Sequence, residues 1–133
     1  MLTAEQITES FSNISSENMP SFLGCFAENL KSTWTGVGSP FAGTYNSRDE
    51  LLEKVFRPII AALSSTLATE VRNVIVSGEN AVIELIATAT QKNGEPYRQE
   101  MCWVCRYEGD QIAELRYYAD TATTERLLRE NKE

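Results

Sequence analysis

The residues of this chain with chemistry to offer are Asp120, Glu100, Tyr117 and the cysteines of CWVC. Asp120 stands in AELRYYADTATTERLL, where a strand pattern stops and a helical one starts. A carboxylate at that point serves either as an acid or as a helix cap. Asp is among the best N-caps, and its charge suits the positive end of the helix dipole, so capping is the preferred reading. Glu100 is a candidate general base, because an apolar surrounding raises a carboxyl pKa into a usable range. Its plainer role is a hydrated side chain near a strand end, or a partner of Arg98 or Lys92. Tyr117 is a candidate hydrogen-bond donor to a carbonyl or enolate oxygen, or simply an aromatic wall. Cys102 and Cys105 have redox or zinc spacing, but residues three apart on a strand point to opposite faces, so the sulfurs diverge and no metal site is expected. With no histidine in the chain, Ser-His-Asp and Cys-His sites are excluded and the commonest metal ligand is missing.

At 133 residues the chain is expected to be one domain, 1–133, long enough to bury a core. Hydrophobic content of 42% and charged content of 23% place it among globular rather than disordered chains. A net charge of −7 without a basic block argues against nucleic acid and against an anionic membrane surface. No apolar run approaches the roughly 20 residues of a membrane span, and the start carries no secretory signal pattern. Three cysteines in such a chain suggest a reduced, cytoplasmic setting.

These candidates need elements to hold them. The first half reads as helices. TAEQITESFSNI puts Ile7, Phe11 and Ile14 on one stripe, and SENMPSFLGCF suggests a short second helix. NLKSTWTG reads as a strand with Leu30, Ser32 and Trp34 on one face, followed by the Gly/Pro loop VGSPFAGTYN. Ser47 and Glu50 form a capping box for a helix whose apolar face runs from Leu51 to Leu63, with Pro58 expected to kink it or start a new segment. The second half alternates strand and turn: four strand patterns separated by SGEN, KNGEP and GD, an antiparallel meander. Helices first and a sheet afterwards give an α+β class.

The tight turn at Gly109–Asp110 predicts a register in which Val104 faces Leu115, Cys102 faces Tyr117 and Glu100 faces Ala119. On this reading Glu100, Cys102, Val104, Leu85, Leu115 and Tyr117 share an apolar pocket face. Trp103, Arg116 and Tyr118 then lie on the other face, where aromatics and arginine among polar groups suit a homodimer interface.

The segments ENLKSTWTGVGSPFAGTYNSRDELLEKVF and NGEPYRQEMCWVCRYEGDQIAELRYYADTATTERLL resemble the SnoaL-like branch of the ketosteroid-isomerase and nuclear-transport-factor superfamily. PFAGTY before the long helix, and GDQI leading to YADT, carry the resemblance most clearly. It implies a cone, with N-terminal helices packed on a strongly curved antiparallel sheet, a pocket between them and a dimeric assembly. It does not imply one reaction. In such relatives the acid that often serves as base lies three positions before Asp120, where this chain has Tyr117. In that cone Trp34, Phe41, Tyr45 and Phe56 would complete an aromatic cavity for a flat apolar ligand. The expected function is the binding of a small, mostly apolar metabolite of polyketide, terpenoid or steroid type. It would be either a cofactor-independent isomerase, cyclase or dehydratase using Glu100 and Tyr117, or a non-catalytic binding or interaction module.

Overall fold

A computed structural model of the protein describes residues 2–12, 14 and 19–132. Helix α1 (Ala4–Ser12) opens on a reciprocal capping pair: Thr3 Oγ1 accepts from the Gln6 amide at 3.1 Å, and Gln6 Oε1 accepts from the Thr3 amide at 2.9 Å. Its stripe of Ile7 and Phe11 is wholly buried. Helix α2 (Met19–Leu23) buries Met19 and Phe22, and the start expected for it, at 16–18, lies outside the described residues.

Strand β1 (Phe26–Trp34) buries Leu30, Ser32 and Trp34 on one face, as their spacing requires. The Gly/Pro loop that follows contains a short strand, β2 (Gly43–Tyr45), paired with the end of β1. On its way it passes the start of the last helix so closely that a Cβ at Gly36, where φ is +93°, would lie 2.5 Å from Thr121 Cγ2.

The long helical stretch comes in three pieces: α3 (Arg48–Leu51), a π-helical turn (Leu52–Phe56) and α4 (Arg57–Ala61). Ser47 Oγ accepts from the Glu50 amide at 3.0 Å, while the Glu50 carboxylate reaches one residue further back than expected, to the Asn46 amide at 2.9 Å. Pro58 has no N–H to give, and in a regular α-helix its ring would press on the carbonyl four residues earlier. The wider π turn comes directly before it, and α4 restarts with Pro58 in its first turn.

Strands β3 (Ala68–Ser77), β4 (Asn80–Thr90), β5 (Pro96–Glu108) and β6 (Gln111–Ala119) form the antiparallel meander read from the turns. The full sheet has the order β2-β1-β6-β5-β4-β3. It is mixed rather than purely antiparallel, because β1 runs parallel to β6. Register breaks interrupt the β1–β6, β3–β4 and β5–β6 ladders. Such bulges increase twist and bend a sheet, which lets this one wrap the helices as a cone. The core fills the concave side, from Phe11 and Phe22 on the helices to Trp103 and Leu115 on the strands. No helix among the described residues is long and apolar enough to cross a membrane.

Helix α5 (Thr121–Glu130) starts where the opening stretch required. Asp120 Oδ1 accepts from the amides of Ala122 at 3.0 Å and Thr123 at 3.3 Å, and Oδ2 accepts from Thr123 Oγ1 at 2.9 Å. Those hydrogen bonds, that of the Thr123 hydroxyl first, hold the carboxyl below its usual range. Asp120→Ala is therefore expected to cost about 0.5–2 kcal/mol and Asp120→Asn much less, read from urea unfolding midpoints. Equal losses in both variants would show that charge, not capping geometry, is what matters there.

Candidate functional site

Strand β5 decides which side chains enter the cone, and it is turned over relative to the register read from the turns. On its β4 side the connecting loop holds five residues, Gln91–Glu95, because Thr90 pairs with Pro96. An odd loop inverts the parity that a loop of two or four residues would give. On its β6 side Tyr107 pairs with Ile112 but Arg106 pairs with Glu114, so Ala113 is the extra residue of a bulge. Both changes move the pairing by one residue, and in a strand one residue exchanges the faces.

The consequences fall on named candidates. Trp103 faces Tyr117 and Ile83 and is only 3% exposed, so it belongs to the core and not to a dimer interface. Glu100, Cys102 and Val104 leave the pocket for the outer face. Cys102 pairs with Tyr118 and Val104 with Arg116. The Glu100 side chain is 73% exposed and sits 3.3 Å from the Arg98 guanidinium, the plainer of the two roles read for it. Cys105 is buried on the inner face, so the two sulfurs of CWVC diverge. Arg116 and Tyr118 do lie on the outer face, with Tyr118 exposed.

Inside the cone is a partly enclosed cavity of about 60 Å³. From the sequence candidates it collects Trp34, Phe56 and Tyr117. Leu85 and Leu115 point inward but are spent in the core below it. Phe41 is buried against Trp34, edge to face at 6.3 Å, and Tyr45 turns away to donate its hydroxyl to the Phe41 carbonyl at 2.7 Å. Neither reaches the cavity wall.

The wall is completed by Ala87 of β4, on the same inward face as Leu85 as their spacing requires, and by residues that the turn-based register misassigned or passed over: Tyr97, Met101 and Trp103 of β5, Leu67 and Thr69 near the start of β3, Ile59 and Ile60 of α4, and Ile14, Met19 and Phe22 from the N-terminal part. The signal for β5 was present in its alternation. Tyr97, Met101, Trp103, Cys105 and Tyr107 share one face, while Arg98, Glu100, Arg106 and Glu108 share the other. That contrast outweighs any inference from a turn.

Polar atoms in this wall are few. Burial pushes the Tyr97 phenol up to about 12, and burial, then the neighbouring Tyr97, pushes the Tyr117 phenol well above its ordinary value. Both are neutral donors at ordinary pH. The Thr69 hydroxyl donates to the Phe11 carbonyl at 2.6 Å. The Trp34 ring stacks on Tyr117 with centroids 3.8 Å apart, and its indole N–H donates to the buried Ser32 hydroxyl at 2.7 Å. The Trp103 Nε1 is buried with no acceptor among the described residues, an arrangement that costs about 1–3 kcal/mol if nothing meets it. No carboxylate, amine or guanidinium lines the cavity among the described residues.

Behind this wall, Gln99 is 1% exposed and fully engaged. Its amide donates to Thr124 Oγ1 at 2.8 Å and to the Asp120 carbonyl at 3.2 Å, and accepts from the Asp120 amide at 3.1 Å. That clasp fixes the start of α5 against β5. A larger groove of about 520 Å³, bordered by Leu2, Gln6, Ser21 and Cys25, lies open to solvent outside the cone. The aromatic cavity is the better candidate, because it is the more enclosed and the more apolar of the two, and burial is what a small apolar ligand gains from.

A bent sheet closed over helices around an aromatic cavity is the architecture of the NTF2-like proteins. Residues 7–115 match the family defined as the SnoaL-like domain, and the chain belongs to that family, which includes polyketide cyclases and isomerases. No curated protein matches it. Among solved structures, an NTF2-like protein from Burkholderia thailandensis is 22% identical, with 96% of this chain and 98% of that one covered, at a TM-score of 0.75. TerC, crystallised with polyporic acid, is 15% identical over 94% of this chain and 96% of that one, also at a TM-score of 0.75. A protein of ketosteroid isomerase-like fold from Catenulispora acidiphila, in complex with trimethylamine, is 14% identical over 88% of this chain and 84% of that one, at a TM-score of 0.65. Identities this low establish the fold and leave the chemistry to the site itself.

Proposed function

We propose that this protein binds a small, mostly apolar molecule in the cone cavity and does no proton-transfer chemistry on it. The observation that carries this is the wall: aromatic and aliphatic throughout, with neutral donors and no base among the described residues. An isomerase or cyclase of the type weighed from the sequence needs a carboxylate at the substrate. Glu100, the candidate, lies on the far side of the sheet, and the position on β6 where relatives carry an acid is Tyr117. TerC, whose structure was determined with polyporic acid, lends support to a flat oxygenated ligand.

The cavity is smaller than the roughly 150 Å³ that admits benzene, so a ligand must widen it. Met19 and Met101 are the wall residues suited to yield, since unbranched thioether chains repack at low cost. Thermal shift against steroids, aromatic polyketides and terpenoids is expected to find binders that need no added cofactor. Ala87→Leu, which places a larger side chain in the wall, is expected to abolish the shifts while leaving the protein folded. Binding undiminished in that variant would locate the ligand elsewhere. Deuterium exchange beside the carbonyl of a bound ketone is expected to stay at the solution rate, and acceleration of it would restore the enzymatic reading.

The outer face supports a homodimer, now without Trp103. Ile75, Val82 and Val104 form a row across β3, β4 and β5, continued by Arg116 and flanked by Tyr118. Ile75 and Tyr118 are exposed at 54% and 43%, more apolar surface than a solvated strand face needs. Sedimentation equilibrium at micromolar concentration is expected to give a dimer that Tyr118→Glu dissociates into folded monomers. A wild-type monomer would refute this.

A further inference from the structure

We infer that the polar end of the ligand is a neutral carbonyl oxygen, as in a ketone or quinone, and that the indole N–H of Trp103 is the group that receives it. This rests on the binding reading above and adds the chemistry of the contact. Two other donors in and beside the cavity wall are already committed, the Trp34 indole to Ser32 and the Thr69 hydroxyl to the Phe11 carbonyl, and the Tyr97 and Tyr117 phenols can accept as well as donate, so neither requires an acceptor. The Trp103 N–H is committed to nothing among the described residues, although its residue is 3% exposed and lines the cavity.

An indole N–H can only donate, so its partner must accept, which rules out an ammonium group. A carboxylate would accept, but it would enter an apolar cavity whose described wall holds no cation, and an unpaired buried charge is costly. A neutral carbonyl satisfies the donor without that cost. The tryptophan is also held in place. Its ring stacks on Phe26 at an interplanar angle of 10° and meets Phe11, Phe22 and Tyr117 edge-on. Locked on these sides, the ring is already ordered, and a ligand need not spend binding energy to order it.

Acetophenone and α-methylstyrene test this, because they share one shape and differ by a carbonyl oxygen against a methylene. Titration calorimetry is expected to show acetophenone binding roughly three- to tenfold more tightly, the worth of one neutral hydrogen bond. In the proton NMR spectrum of the wild type, acetophenone is expected to move one of the two indole N–H resonances downfield while α-methylstyrene leaves it in place. That resonance is the one that survives in Trp34→Phe. In Trp103→Phe the preference for the ketone is expected to vanish and the affinity for α-methylstyrene to persist. If Trp103→Phe does not fold, the wild-type resonance decides. Equal binding of both probes with an unmoved indole, as when a water keeps the N–H satisfied, overturns the inference and leaves the binding reading standing. Binding of neither removes both.

Discussion

Trp103→Ala is expected to cost about 3–5 kcal/mol, the range for deleting a large buried aromatic, against a total stability of about 5–15 kcal/mol for a domain of ordinary size. The residue is 3% exposed and joins the two halves of the fold. It touches Phe11 of α1, Phe22 of α2 and Phe26 of β1 from the middle of β5, all within ring-centroid distances of 5.2–6.3 Å. Removing it leaves the helices facing a void that the surrounding strands cannot close. Urea unfolding followed by circular dichroism would give the number. A loss below about 1 kcal/mol would mean that the strand presents its other face to the helices. Trp103→Glu separates the same two readings: a core residue gives an unfolded chain, whereas an interface residue gives a folded monomer.

A second large loss is expected on the alkaline side. Tyr97 is moved by burial from 10.0 to about 12, Tyr117 and Tyr107 are raised mainly by burial, and the buried Cys105 thiol is raised above its ordinary 9.0. A group whose folded pKa is raised adds stability that is fully present below the unfolded value and is lost as pH climbs through the folded one. The thiol therefore starts to draw on stability near pH 9, and the phenols follow from about pH 10 upward. Tyr97 alone carries about 3 kcal/mol across its interval, at about 1.4 kcal/mol for each tenfold change in proton affinity. The other groups are shifted the same way by burial, so each adds to the loss. Urea midpoints at pH 8, 9.5 and 11 are expected to fall steeply. Tyr107→Phe should lessen the fall, because a phenylalanine has no proton to release. A midpoint constant to pH 11 would show that these groups titrate freely in the folded state.

Much of the architecture is legible in the sequence because it rests on local chemistry. The cap of Ser47 on the Glu50 amide, the cap at Asp120, the break before Pro58 and the tight turn at Gly109–Asp110 each follow from a few adjacent residues, and the structure keeps them, with the Glu50 carboxylate alone shifted, to the Asn46 amide. The periodicity of α1 and of β1 likewise fixed which of their side chains are buried, since a helix or strand turns its faces at a constant rate. The cone itself was legible through the family resemblance, which the match over residues 7–115 bears out.

What the turns left to tertiary structure was parity, for which the alternation along β5 was the one local signal. Whether Glu100 or Trp103 enters the cavity depends on a five-residue loop at Gln91–Glu95 and a bulge at Ala113, and each is settled by contacts outside the strand. The loop is held by Ala62, whose carbonyl accepts from the Lys92 amide at 2.8 Å, and by Asn131, whose side chain accepts from the Asn93 amide at 2.9 Å. The bulge lies where β1 lines up in parallel against β6, its Phe26 level with Ile112, a pairing between segments more than 80 residues apart. No window of local sequence contains those partners. Because a strand exchanges faces with every single-residue shift, one loop residue and one bulge were enough to replace a carboxylate in the cavity with an indole.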